Sequence, residues 1–227
     1  EATLLRKLRP SGIILFKHNF AFTPNWMEQL AKLLCDVRHC CERDCLFVSI
    51  DHEGGKVNRL PLPVTPFPPA RNWQNKSRAV GEAMGLELRA LGINLSYAPV
   101  LDVDLEPTNT VIAKRAFSTN ADEASNYAVE YLRGLESSGV LACGKHFPGH
   151  GATIADSHFS LPTLDVSLTT LRSRELVPFI AAIQSHISML MTAHVLYPQI
   201  DALNPATFSP ALIQELLREE LGFTGVV

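Results

Sequence analysis

The chain has 227 residues, 46% of them hydrophobic and 19% charged, and carries a formal net charge of -3. That is enough chain to bury a substantial core in one large domain or two small ones. The charge balance gives no electrostatic reason to expect nucleic acid or an anionic membrane as partner, and no apolar run approaches the roughly 18 residues of a membrane span.

The opening E-A-T-L-L-R-K-L-R-P lacks the apolar core of a signal peptide. It begins with Glu rather than Met, which leaves a removed leader open. The cysteines are Cys35, Cys40, Cys41, Cys45 and Cys143, with no C-x-x-C pair. That signals zinc only weakly. Reduced thiols in a reducing compartment are the simpler reading, and a cytoplasmic location is expected.

Along the chain, strand and helix signals alternate. G-I-I-L-F opens as a strand. Thr23 and Pro24 read as the cap and first position of a helix, with Trp26, Leu30, Leu33, Leu34 and Val37 at helical spacing. C-L-F-V-S-I is a buried strand ending at Asp51. Ser77 to Leu91 is a helix with Val80, Met84, Leu88 and Leu91 on one face and Gly92 as its stop. I-N-L-S-Y-A follows as a strand.

Asn120 and Glu123 have the spacing of a capping box, before a helix lined by Tyr127, Tyr131, Leu132 and Leu135. V-L-A-C-G is a strand running into Lys145. Ser167 to about Gln184 reads as a helix that Pro178 should kink or divide. I-S-M-L-M-T-A is a strand ending at His194. Ser209 and Pro210 open a last helix, faced by Leu212, Ile213, Leu216 and Leu217 and ended by Gly222; G-V-V then starts another strand.

Alternating units with continuous apolar strands imply a parallel sheet covered by helices. Asp51, Asp102, the Lys145–His146 pair and His194 each follow a strand candidate. In a (β/α)8 TIM-type barrel such positions converge on the C-terminal face, where active sites lie. A doubly wound sheet would show a Gly-rich phosphate turn, and D-H-E-G-G does not match one. The expectation is therefore an α/β fold with a single barrel domain over residues 1–227. Six strand candidates are legible, against eight strands in about 250 residues for this barrel, so it is expected to be incomplete at one or both ends.

The densest group of reactive side chains is K-H-F-P-G-H-G-A-T-I-A-D-S-H, with Lys145, His146, His150, Asp156 and His158. Pro148, Gly149 and Gly151 make it a loop, and loops on that face carry function. Three readings are open. A metal site is one, although the glycines argue against the helix that would hold a ligand pair on one face. Loop-fixing imidazoles are another, the role expected of His150 between its two glycines. Acid/base catalysis is the third. Asp156 and His158 are two apart and project the same way in extended chain. A carboxylate on one imidazole nitrogen leaves the other to move a proton near neutral pH.

The pattern K-H-F-P-G-H-G-x-x-x-x-D-x-H resembles the signature of bacterial β-N-acetylglucosaminidases among the family 3 glycoside hydrolases. D-H-E-G-G-K-V-N-R, Y-A-P-V-L-D-V, R-A-F, M-T-A-H-V and L-G-F-T-G-V-V are similar to further family landmarks, in the family's order. The resemblance implies a (β/α)8 barrel and an exo-acting retaining hydrolase that removes terminal β-linked N-acetylglucosamine from muropeptides or amino-sugar oligosaccharides. It implies Asp51, Arg59, Arg115, Lys145 and His146 as the sugar-binding residues, Lys145 and His146 as donors to hydroxyls. His158 would be the general acid/base, supported by Asp156, in place of the carboxylic acid of most glycosidases. No cofactor, metal, nucleic acid or membrane partner is implied, and the oligomeric state is not given.

Taken without the resemblance, Arg59 and Arg115 read as surface charges, Asp102 and Asp104 as loop caps, and Glu53 and His194 as framing groups. A retaining glycosidase also needs a nucleophile. In the family it is an Asp in a segment like V-x-S-D-D, expected shortly after Val227. The alternatives are a phosphorylase, since a neutral histidine does not repel phosphate, and a non-catalytic sugar-binding protein. A zinc hydrolase is a more distant one.

Overall fold

The computed structural model describes residues 1–21, 23–154 and 160–227. Helix α1, Ala2–Leu8, precedes strand β1, Gly12–Leu15. Helix α2, Trp26–Cys41, leads to β2, Phe47–Ile50, and α3, Ser77–Ala90, to β3, Leu95–Ser96. Helix α4, Ala121–Ser137, feeds β4, Leu141–Phe147; the short α5, Leu168–Ser173, and α6, Val177–Gln184, lead to β5, Met189–Thr192. The five strands pair in chain order, and every pair is parallel. That order has no reversal, whereas a doubly wound sheet turns back on itself.

Most expected elements form, and the departures have local causes. Helix α2 begins at Trp26 after Asn25, and Thr23 donates its hydroxyl to Asn25 instead of capping the helix. Leu33 faces outward. Only half of the Asn120 capping box is made. The Asn120 side chain accepts from Glu123 N at 3.0 Å, while the Glu123 carboxylate is taken by the Ser118 hydroxyl at 2.7 Å.

The helix expected over 167–184 is divided before Pro178, which sits in the first turn of α6, where a missing N–H costs nothing. The final G-V-V makes a single bridge, Val226 to Met189. Helix α1 and a small antiparallel hairpin, β6 Leu196–Tyr197 with β7 Asp201–Pro205, had no clear sequence signal. The last helix, Ala211–Glu220, is wound as a π-type helix and buries Leu212, Leu216 and Leu217.

The tightest helix packing is between α3 and α4, and it depends on absent side chains. A Cβ on Gly134 would lie 2.1 Å from Arg78 O and 2.8 Å from Glu82 N; one on Gly81 would lie 2.3 Å from Tyr131 O. The two backbones therefore touch directly, and Ser138 Oγ crosses the contact to donate to Glu82 O at 3.0 Å. Alanine raises helix propensity by about 1 kcal/mol over glycine. Here the clash is with backbone, which cannot swing aside, so Gly134→Ala should be a net loss of about 2 kcal/mol. Urea unfolding of that variant checks it, and an unchanged or raised midpoint would contradict the packing.

Candidate active site

The C-terminal ends of the parallel strands enclose a cavity of about 350 Å³. Asp51 enters it directly after β2, Lys145 and His146 from the end of β4, and His194 just beyond β5. Glu53, Arg59 and His150 line it from loops, and Arg115 from the single turn 113–115. Of the residues expected to bind sugar, Asp51, Arg59, Arg115, Lys145 and His146 thus share one cavity. Asp156 and His158 lie outside the described residues.

Glu53 organises the charges. Its side chain is 4% exposed and meets two cations: Lys145 Nζ donates to Oε1 at 2.6 Å, and Arg115 donates through Nε and Nη2 at 2.7 and 2.9 Å. Burial by itself would raise the Glu53 carboxyl, but Lys145 and Arg115 outweigh it and bring it down to about 2. Lys145 Nζ also donates to Asp51 Oδ1 at 2.7 Å. Asp51 Oδ2 has no protein partner among the described residues. Arg115 is completed by Nη1 donating to Val111 O at 3.1 Å. Arg59 Nε is buried and has no hydrogen-bond partner among the described residues.

A second hub lies beside it. Asp102 is fully buried; its Oδ2 meets His146 Nδ1 at 2.6 Å, and its Oδ1 accepts His150 N at 2.7 Å and His146 N at 3.3 Å. Burial opposes ionisation of Asp102, yet His146 and His150 hold its carboxyl below the ordinary range. The His146 imidazole is also lowered, by burial first and then by the Lys145 and Arg115 cations, against the pull of Asp102. The carboxylate oxygen 2.6 Å from Nδ1 calls for a proton on that nitrogen.

His150 takes the loop-fixing role expected of it. Its Nδ1 is 2.6 Å from Thr153 Oγ1, and its carbonyl accepts from Asn109 Nδ2 at 3.0 Å. His194 is exposed, with Nδ1 2.7 Å from Thr207 Oγ1. Glu53, read as a framing group, and Asp102, read as a loop cap beside a strand end, instead hold the charged and imidazole side chains of the site; Asn109, in an irregular loop, carried no signal.

His52 is 1% exposed, both ring nitrogens lack a hydrogen-bond partner among the described residues, and burial lowers it to about 4 despite Glu53. A folded-state pKa below the unfolded value means that the unfolded chain takes the proton first. Stability present above pH 6.5 is then lost as pH falls toward 4. Between pH 7 and pH 5 the native protein should lose about 2 kcal/mol more than a His52→Leu variant. Urea titrations at the two pH values measure this, and equal losses would show that His52 is not buried neutral.

Comparison with known proteins adds the family. The model of the glycosyl hydrolase family 3 N terminal domain matches residues 1–227. The chain is 39% identical to a beta-hexosaminidase of Idiomarina loihiensis, covering 100% of this chain and 69% of the relative. It is 40% identical to one from Methylococcus capsulatus, over 95% and 65%. The structure of NagZ from Neisseria gonorrhoeae with N-trifluoroacetyl-D-glucosamine superposes with a TM-score of 0.86 at 36% identity, covering 95% of this chain and 64% of that one. A glycoside hydrolase family 3 beta-N-acetylglucosaminidase from Paenibacillus sp. gives 0.92 at 39%, covering 99% and 44%. A pocket of paired carboxylates and cations at the C-terminal ends of a parallel sheet, on a chain matched along its whole length, marks the class as an α/β glycoside hydrolase domain. The chain belongs to glycoside hydrolase family 3, as its N-terminal domain. It spans about two thirds of the length of the curated relatives it matches.

Proposed function

We propose that the protein is an exo-acting, retaining β-N-acetylglucosaminidase, and that the cavity is its terminal-sugar subsite. The observation that carries this is the Asp51–Lys145–Glu53–Arg115 cluster, with the unpartnered Arg59 Nε beside it. Asp51 offers acceptor oxygens, Arg59 and Arg115 offer donors, and His146 Nε2 accepts. Such alternating donors and acceptors suit a ring of hydroxyls and an amide. The relatives named beta-hexosaminidase, and the NagZ complex with an N-acylated glucosamine, support the same sugar.

The sheet is inferred to belong to a (β/α)8 barrel. Supporting this are the chain-order pairing, the Val226–Met189 bridge and an open apolar pocket on the sheet lined by Ile14, Phe47, Leu95, Cys143 and Met189. Branched and apolar side chains of that kind fill such barrels.

In the proposed reaction His158 protonates the leaving-group oxygen and later deprotonates water, with Asp156 orienting its ring. A carboxylate nucleophile completes the retaining route. Muropeptides or amino-sugar oligosaccharides are the proposed substrates. No helix of the described residues is long and apolar enough to cross a membrane.

The test is hydrolysis of a fluorogenic N-acetylglucosaminide by the complete native protein, with the released anomer followed by proton NMR. The β-anomer should form first. Turnover of the glucoside in preference would overturn the sugar assignment. A phosphate-dependent rate with a sugar 1-phosphate product would make the protein a phosphorylase. His158→Ala should lower kcat by about a hundredfold or more while leaving N-acetylglucosamine affinity near the native value, and Asp156→Ala should act similarly but less. Equal loss of binding in both variants would indicate a folding role instead.

A further inference from the structure

Asp102 takes no part in the sugar contacts proposed above, yet it is fully buried between two elements that do. One carboxylate oxygen holds the His146 ring and the other holds the backbone N–H of His150. His146 lines the sugar cavity from β4, and His150 opens the loop that runs on toward Asp156 and His158.

That loop root is fastened at several further points. Tyr197 donates its hydroxyl to Gly149 O, Asn109 Nδ2 donates to His150 O at 3.0 Å, and Leu105 N and Glu106 N donate to Gly151 O at 3.3 and 3.2 Å. A Cβ on Gly151 would stand 1.7 Å from Val103 O, so this turn rests on the chain just beyond Asp102. Asn109 ties the same root to the Arg115 segment, its Oδ1 accepting from Val111 N and Ile112 N at 2.9 Å.

We propose that Asp102 is a positioning residue with two separable tasks. Its Oδ2 keeps the His146 proton on Nδ1, so that Nε2 accepts a hydrogen bond from a sugar hydroxyl. Its Oδ1 sets the loop root at His150. The proposal rests on the glycosidase reading only for which ligand Nε2 meets. The two tasks concern this chain's own atoms.

Asparagine and alanine separate the tasks. In Asp102→Asn the amide oxygen can still accept from His150 N, but the amide nitrogen donates, so His146 Nδ1 must turn acceptor and Nε2 gains the proton. In Asp102→Ala both tasks are lost. The readouts are ring-nitrogen NMR of His146, hydrogen exchange at the His150 amide, affinity for N-acetylglucosamine and the kcat–KM split.

The native protein should show Nδ1–H and an unprotonated Nε2 at neutral pH, a measurement that needs no variant. Asp102→Asn should show Nε2–H, with N-acetylglucosamine affinity down about tenfold to a hundredfold and His150 exchange near native. Asp102→Ala should add faster exchange at His150 and a fall in kcat beyond the binding loss. A native Nε2–H tautomer, or Asp102→Asn with native tautomer and native affinity, would overturn the proposal. Native protein that hydrolyses no N-acetylglucosaminide would remove the glycosidase reading, while the NMR and exchange results still judge Asp102.

Discussion

The structure turns on Glu53. A carboxylate this deeply buried is costly to strip of water, and an isolated one would take up a proton instead. Here it stays ionised because two cations arrive from distant parts of the chain, Lys145 on β4 and Arg115 from its own short turn. The dependence is mutual. Lys145 is 3% exposed as a side chain and Arg115 13%, and neither would be stable there without an anion. Breaking a buried pair by removing one member costs several kcal/mol, because the other charge is stranded. Three segments are thereby held in register around one carboxylate, and the cavity is the space that they leave.

This arrangement gives the cavity polar groups that need no rearrangement when a ligand enters. Lys145 is shared by Glu53 and Asp51, so Asp51 is held at one oxygen, and the other has no partner among the described residues. Arg115 is held along one edge by Glu53 and at Nη1 by Val111 O. Preorganised dipoles are worth more than mobile ones, since their orientation is already settled when the ligand binds. A second carboxylate, Asp102, does for His146 what Glu53 does for the cations.

Much of this was legible in the sequence, and the remainder was not for physical reasons. Strands β2, β4 and β5 announce themselves as apolar runs, and placing polar residues at their ends located Asp51, Lys145, His146 and His194. Arg59 and Arg115 sit in loops without periodicity, and only the family resemblance singled them out. Glu53 was read as a framing group and Asp102 as a loop cap because a carboxylate's importance here lies in partners 62 and 44 positions away, a separation that no local pattern encodes. The α3–α4 contact was hidden for a similar reason. Gly81, Gly85 and Gly134 inside helices look like weak helix formers until the opposing backbone is in view.

The two carboxylate hubs also differ in what they can tolerate. Glu53 balances charges, so its demands are electrostatic and are met by any geometry that keeps both cations close. Asp102 demands a proton on one particular nitrogen and an N–H at one particular point, and both conditions are directional. Sub-ångström placement governs rate when reacting groups come from different elements. A strand end and a loop root that share one carboxylate cannot drift apart without breaking a charge-assisted hydrogen bond, and such bonds are about twice as strong as neutral ones. The sheet fixes Lys145 and His146 through its backbone ladder; the described root of the next loop is held by Asp102, Asn109 and Tyr197. If Asp102 positions both groups as proposed, the described loop root takes its reference from the sheet through that one carboxylate.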